Sequence, residues 1–350
     1  MNSNLPALPF PSWLPAARLT LLLALLALAA CQSDNAKDGC RPDLAAAAPT
    51  VPFRLQRLEQ LFLALKSPTD AQNLFARAPL FARTYLQRRG SVNDAALTRV
   101  LVEMATNPEF QKLGDETVAA FPDTAAFRQE LGDVFRRARH YFPDFRAPQV
   151  ATTVSGLLGK DIFVNDSLLV VSLDHFAGPK SSYRPDLPAY MLRRYRPPFV
   201  LPTIAQRMSD KYNKHELMAN TMLDAMLHSG KALYFAGQLL PCASDSLLLG
   251  YSSKELANVQ FNEGKIWGHF LEKNLLYSTT PFLIQKYVAE RPNVPEIDRT
   301  APGRIGQWVG LQIVRKYMAE HPDVTLPRLM AEKNAQRLLN DSHYRPKRKG

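Results

Sequence analysis

Metal-ligand spacing is the first thing this 350-residue sequence lacks. Its histidines, at 140, 175, 215, 228, 269, 321 and 343, nowhere repeat at the intervals that turn two imidazoles towards one ion. His215-Glu216 opens an H-E-x-x pattern, but Ala219 stands where the zinc-protease helix needs its second His. His269-x-x-Glu272 begins the inverted motif, and Lys273 replaces its closing His. A metal centre and a resident cofactor are therefore not expected. Other signatures are missing too. Ser229 has no G-x-S-x-G elbow around it, which removes the usual serine nucleophile. Gly156-Leu157-Leu158-Gly159-Lys160 has glycines too close for a phosphate loop, and Asp161 follows where Ser or Thr is required. No internal repeat occurs.

Long apolar runs are also absent. The one that opens the chain, Leu19 to Ala30 behind Arg18, is about a dozen residues, whereas a membrane span needs roughly 20. That length suits a signal-peptide core. It ends in Leu28-Ala29-Ala30-Cys31, which resembles the bacterial lipobox, so residues 1–30 read as a lipoprotein signal peptide and Cys31 as the acylated residue. Several acyl chains hold a protein on a membrane where one does not. Gln32 and Ser33 follow the Cys in place of an Asp, which favours the outer membrane. The remaining cysteines, Cys40 and Cys242, read as two free thiols, although an exported compartment permits a bridge. The net charge of +11 suits nucleic acid, but export argues against it. Anionic headgroups or an acidic protein partner fit better.

Residues 31–52 are polar or Ala/Pro-rich and read as a flexible tether. From Phe53 the spacing of Leu55, Leu58, Leu61, Phe62 and Leu65 predicts helix, and residues 94–104 and 123–141 repeat the pattern. Residues 53–145 thus form a helical N-terminal part. After Pro148 come short β-branched runs at 150–154, 161–164 and 167–173, with Asn165-Asp166 as a tight turn. They predict a small antiparallel sheet packed on that helical layer. Helix and loop come next: a capping box at Ser252–Glu255 starts one helix, and Pro302 reads as the first-turn proline of another. On that second helix Gly303, Gly306 and Gly310 lie close together, so a neighbouring backbone can approach. The fold class is α+β, mostly helical, with a core over residues 146–344 and a basic tail over 345–350; residues 53–344 read as one folded unit.

The richest stretch is Lys214 to Phe235. As one helix it lines up Glu216, Asn220, Asp224 and His228 four apart on a polar stripe, with Met218, Met222 and Met226 opposite. With Asp174 and His215 these form a candidate cleft. A buried Asp224 needs a partner, and His228, one turn on, is the obvious one, as a structural ion pair.

An ordered set of motifs resembles the gliding-motility lipoprotein GldB family. It runs through Leu173-Asp174-His175-Phe176, then Gly230, Lys231 and Tyr234, then Gly250-Tyr251-Ser252. It continues with Asn262, Glu263 and Trp267, with Pro302, Gly303, Arg304, Gly306, Trp308 and Gly310, and closes at Tyr344-Arg345-Pro346. The resemblance implies an envelope lipoprotein of Bacteroidota-type bacteria, needed for gliding and linked to the type IX secretion machinery, whose other envelope proteins would be its partners. It also implies a degenerate zincin-like core, because the family looks distantly similar to predicted zinc peptidases. The ligands of that core are missing here, so binding to proteins, with no small-molecule substrate, is the expected function. The alternative is a metallopeptidase with atypical ligands, His215, Glu216 and His228.

Overall fold

The computed structural model describes residues 40, 43, 45–87, 91–215 and 220–347, without the side chains of 91–93. The expected signal peptide with Cys31, most of the expected tether, Glu216 and the last three residues of the tail lie outside these. The chain divides into two units, residues 1–40 and 41–350, and every helix and strand described belongs to the second. No helix among the described residues is long and apolar enough to cross a membrane.

Four strands form one sheet in the order β1-β2-β4-β3: β1 Leu55–Arg57, β2 Gln149–Thr153, β3 Ile162–Val164 and β4 Leu168–Ser172. Only β3 and β4, joined through the expected turn at Asn165, are antiparallel; β1 with β2 and β2 with β4 are parallel. The sheet is therefore mixed rather than wholly antiparallel. The physical reason is β1: Leu55, expected in a helix, instead pairs with Val150. A segment distant in sequence can align with β2 in parallel because the intervening helices carry the crossover.

Burial follows the two-residue period of the strands. Ala151, Leu168 and Val170 face a core built with Phe62, Phe75 and Phe81. These rings come from α1 (Glu59–Leu63), α2 (Pro68–Arg77) and α3 (Pro79–Thr84), with α4 (Ser91–Thr106) behind them. The other face, with Val150, Ile162, Leu169 and Val171, packs on a larger core. There α6 (Thr124–Tyr141) and α8 (Val200–Ser209) supply buried side chains, whereas α5 (Pro108–Ala120) packs with Val154 in a small separate cluster and α7 (Ala189–Leu192) buries none. Two helical layers thus enclose the sheet where the sequence suggests one.

The centre of the larger core is α9 (Met222–Leu239). Around it lie α10 (Asp245–Leu249), α11 (Ser253–Phe261), α12 (Glu263–Glu272), α13 (Pro281–Val288), α14 (Ile305–Glu320), α15 (Leu326–Ala331) and α16 (Ala335–Ser342). The capping box at Ser252 forms as expected, but its helix breaks at Asn262 into α11 and α12. Helix α14 starts at Ile305 with Arg304 as its N-cap, so Pro302 lies outside it. Glycines let α9 and α14 touch backbone to backbone. A Cβ on Gly310 would fall inside the Met226 carbonyl oxygen, and one on Gly230 would overlap the Gly310 carbonyl.

Candidate functional site

Local hydrogen bonding decides where α9 begins. The Thr221 hydroxyl accepts the Asp224 N–H at 3.2 Å, and the Asp224 carboxylate accepts the Thr221 N–H at 3.0 Å. This reciprocal box starts the helix at Met222. The helix expected from Lys214 therefore does not extend that far back. Asn220 is exposed before the cap, and Asn213 to His215 are non-helical. Asp224 serves the cap, so its expected ion pair with His228 is not formed. A carboxylate at the N-terminal end of a helix is better used on the cap, where the free N–H groups are.

His228 keeps a different neighbour. Its ring meets that of His215 edge to face, centroids 5.3 Å apart, and its Nδ1 is buried without a partner. Burial, together with the positive fields of His215 and Lys231, holds its pKa below the ordinary histidine range. His228 lines a cleft of about 420 Å³ with Ser229, Arg194, Glu290, Arg304 and Gln307. Asp174 and His175 do not reach it; they line a separate cavity of about 310 Å³. Asp174 is fully committed there, accepting the N–H groups of Ser155 and Leu157 at 3.1 and 2.7 Å and the Ser155 hydroxyl at 3.0 Å.

Charge in the cleft is organised by arginine. Glu290 bridges Arg194 at 2.8 Å and Arg304 at 3.4 Å. Arg304 has a left-handed backbone, φ 57°, and its buried guanidinium donates to the Leu249 carbonyl and lies over the Tyr251 ring. Tyr251 in turn donates to the Gly303 carbonyl at 2.8 Å. Gly250, at φ +66°, leaves room for Arg194, whose side chain occupies the space a Cβ would take. Two of the sequence motifs, Gly250-Tyr251 and Gly303-Arg304, thus build one cluster. Arg194 and Glu290 complete it, and no spacing in the sequence marks either of them.

Other motif residues meet in the same way. Lys231 donates from Nζ to the carbonyls of Lys214 and Glu332, each at 2.7 Å, and burial lowers its pKa to about 8. The Tyr344 hydroxyl donates to Glu263 at 2.9 Å, and its ring packs edge-on to Trp267. Trp308 is among the largest fully buried side chains. The motifs hold distant segments together; none of these contacts sets up a nucleophile. Among the described residues, no group of three or more His, Cys, Asp or Glu side chains could hold a metal ion. Cys40 and Cys242 are each disulfide-bonded, which corrects the expectation of free thiols. Oxidising conditions, such as those met by an exported chain, permit this.

No curated protein and no solved structure matches the chain. The family model for gliding motility protein GldB matches residues 39–346, which contain the sheet, the α9–α14 pair and the ordered motifs from Leu173 to Pro346. The chain belongs to the GldB family of gliding motility lipoproteins.

Proposed function

We infer that this protein is a non-enzymatic, lipid-anchored component of the gliding machinery, held in the outer membrane through Cys31 and acting by binding other envelope proteins of the type IX secretion apparatus. The observation that supports it is where the buried and half-buried polar groups go. Asp174 holds a loop, Asp224 caps a helix, Lys231 ties carbonyls together and Glu290 is shared by two arginines. A catalytic group must be free to exchange a proton or bond with substrate, and these are occupied in holding the fold. Family membership supports the link to gliding.

One contact favours the second reading, an unorthodox zinc peptidase: the approach of the His215 and His228 rings. The two readings separate in one experiment. Cells carrying the double variant His215→Ala/His228→Ala are scored for spreading on agar, and the purified parent protein is assayed for bound zinc. Normal spreading and substoichiometric zinc are expected. Stoichiometric zinc in the parent, with spreading abolished in the double variant, would establish the peptidase instead.

A further inference from the structure

Strand β3 is the outermost of the sheet, and only one of its edges is paired. The Ser172 N–H donates to the Asp161 carbonyl and the Asn165 N–H to the Leu168 carbonyl, each at 2.9 Å. These two bonds fix the alternation of the antiparallel ladder. Residues 161, 163 and 165 turn their backbone groups to β4, and Ile162 and Val164 turn theirs away. Asp161 satisfies the Ile162 N–H, accepting it on Oδ1 at 2.7 Å. Among the described residues the Ile162 carbonyl and both Val164 backbone groups have no backbone partner, and such a row is a template for an added strand.

The strand lines a groove of about 610 Å³ together with Phe145, Pro148, Arg207, Met208 and Tyr212. Phe163 lines the groove although its ring packs on Tyr85 at the other face of the sheet. The groove therefore meets the strand along its backbone. Its charges do not balance locally. Lys211 is paired with Asp166 at 2.6 Å, while Arg146, Lys160 and Arg207 enter no ion pair among the described residues. In all, four cations, Arg146, Lys160, Arg207 and Lys211, line the groove with three carboxylates, Asp161, Asp166 and Asp210, a surplus of one positive charge; Asp161 keeps its charge although it accepts from the Ile162 N–H and the Tyr195 hydroxyl.

We propose that this groove docks an extended segment of a partner protein that alternates apolar and acidic residues and adds to β3 as a fifth strand. Main-chain bonds to Ile162 and Val164 supply the register. Alternate side chains then point to the Met208–Tyr212 wall and to the free cations, following the two-residue period of a strand. The proposal rests on the protein-binding reading above and gives it a surface and a recognition chemistry.

The probe is a fluorescent eight-residue peptide alternating valine and glutamate, titrated by anisotropy against the full-length protein in detergent. Saturable, salt-sensitive binding is expected, with the lysine-for-glutamate peptide failing to bind. Val164→Pro removes an outward N–H at an edge where proline is tolerated, and should weaken binding at least tenfold. Arg207→Glu, which leaves the backbone alone, should do the same, and covers the case in which the proline variant does not fold. No binding of the acidic peptide, or equal binding by the parent and both variants, overturns the proposal. In cells, a photo-crosslinking residue at Asn165 is compared with one at the exposed Phe282. Capture of a partner from Phe282 alone would overturn the groove and leave the protein-binding reading standing. Zinc-dependent peptidase activity would remove that reading itself.

Discussion

At the α9–α14 seam one backbone lies directly against another, whereas at the β3 groove a backbone edge looks onto an open trough. The seam is made of residues that nothing else can replace: Gly230 and Gly310 are there because no side chain fits. The groove is made of Arg, Lys, Val and Phe, types that any surface or strand supplies. Of the motifs that carry the family resemblance, Gly230 and Gly310 lie at the seam, and Gly250, Tyr251, Gly303 and Arg304 build the arginine cluster. Such motifs therefore report where packing tolerates no change, and are silent about a surface whose role depends on what is left unpaired.

The contrast breaks first at Gly310. In Gly310→Ala the new methyl would sit 2.5 Å from the Met226 carbonyl carbon, with the oxygen nearer still, so the helices must part. Overpacking of this kind costs about 3 kcal/mol, and a lowered denaturant midpoint would register it. A variant as stable as the parent would mean that the seam yields. Next comes Lys231→Met, which strips two carbonyls of their donor and should cost about 2 kcal/mol. Its pH dependence has a definite sign. With the native pKa lowered to about 8 from 10.5, the unfolded chain binds the extra proton between those values. Stability contributed at this position therefore rises with pH across that window, and the burial penalty is complete below it. The parent should gain stability over Lys231→Met from pH 8 upwards; a constant difference would show that burial does not shift this lysine.

Asp224→Ala sharpens the point on the cleft. It should cost about 1 kcal/mol, as loss of an N-terminal cap does, and leave spreading on agar intact. Loss of spreading without loss of stability would restore Asp224 to the cleft.

The same physics decides which features are legible in the sequence. Local rules locate the strands at 149–153, 162–164 and 168–172, the capping box at Ser252 and the close approach at Gly310, since each is written within a few residues. Strand β1 is invisible to them because three residues carry no period, and its partner Val150 lies far along the chain. The start of α9 is masked because Thr221–Asp224, an N-capping pattern, sits inside a longer amphipathic stripe. Arg194 and Glu290 are beyond reach, because an ion cluster assembled from four segments has no sequence spacing.

The smallest effect on stability belongs to a pair inside the groove. Lys211 meets Asp166 at 2.6 Å, yet their side chains are 53% and 76% exposed. Water and salt screen such a pair, and two long side chains lose freedom in forming it, so Lys211→Ala should change stability by less than about 0.5 kcal/mol. The same substitution frees the Asp166 carboxylate at the rim of a groove proposed to accept acidic residues. Affinity for the valine–glutamate peptide should fall while the melting temperature stays within a degree or so of the parent. A residue that the fold barely notices and the ligand does is what separates a recognition surface from a packed seam. If Lys211→Ala moved stability and left the peptide untouched, the groove would be one more piece of packing.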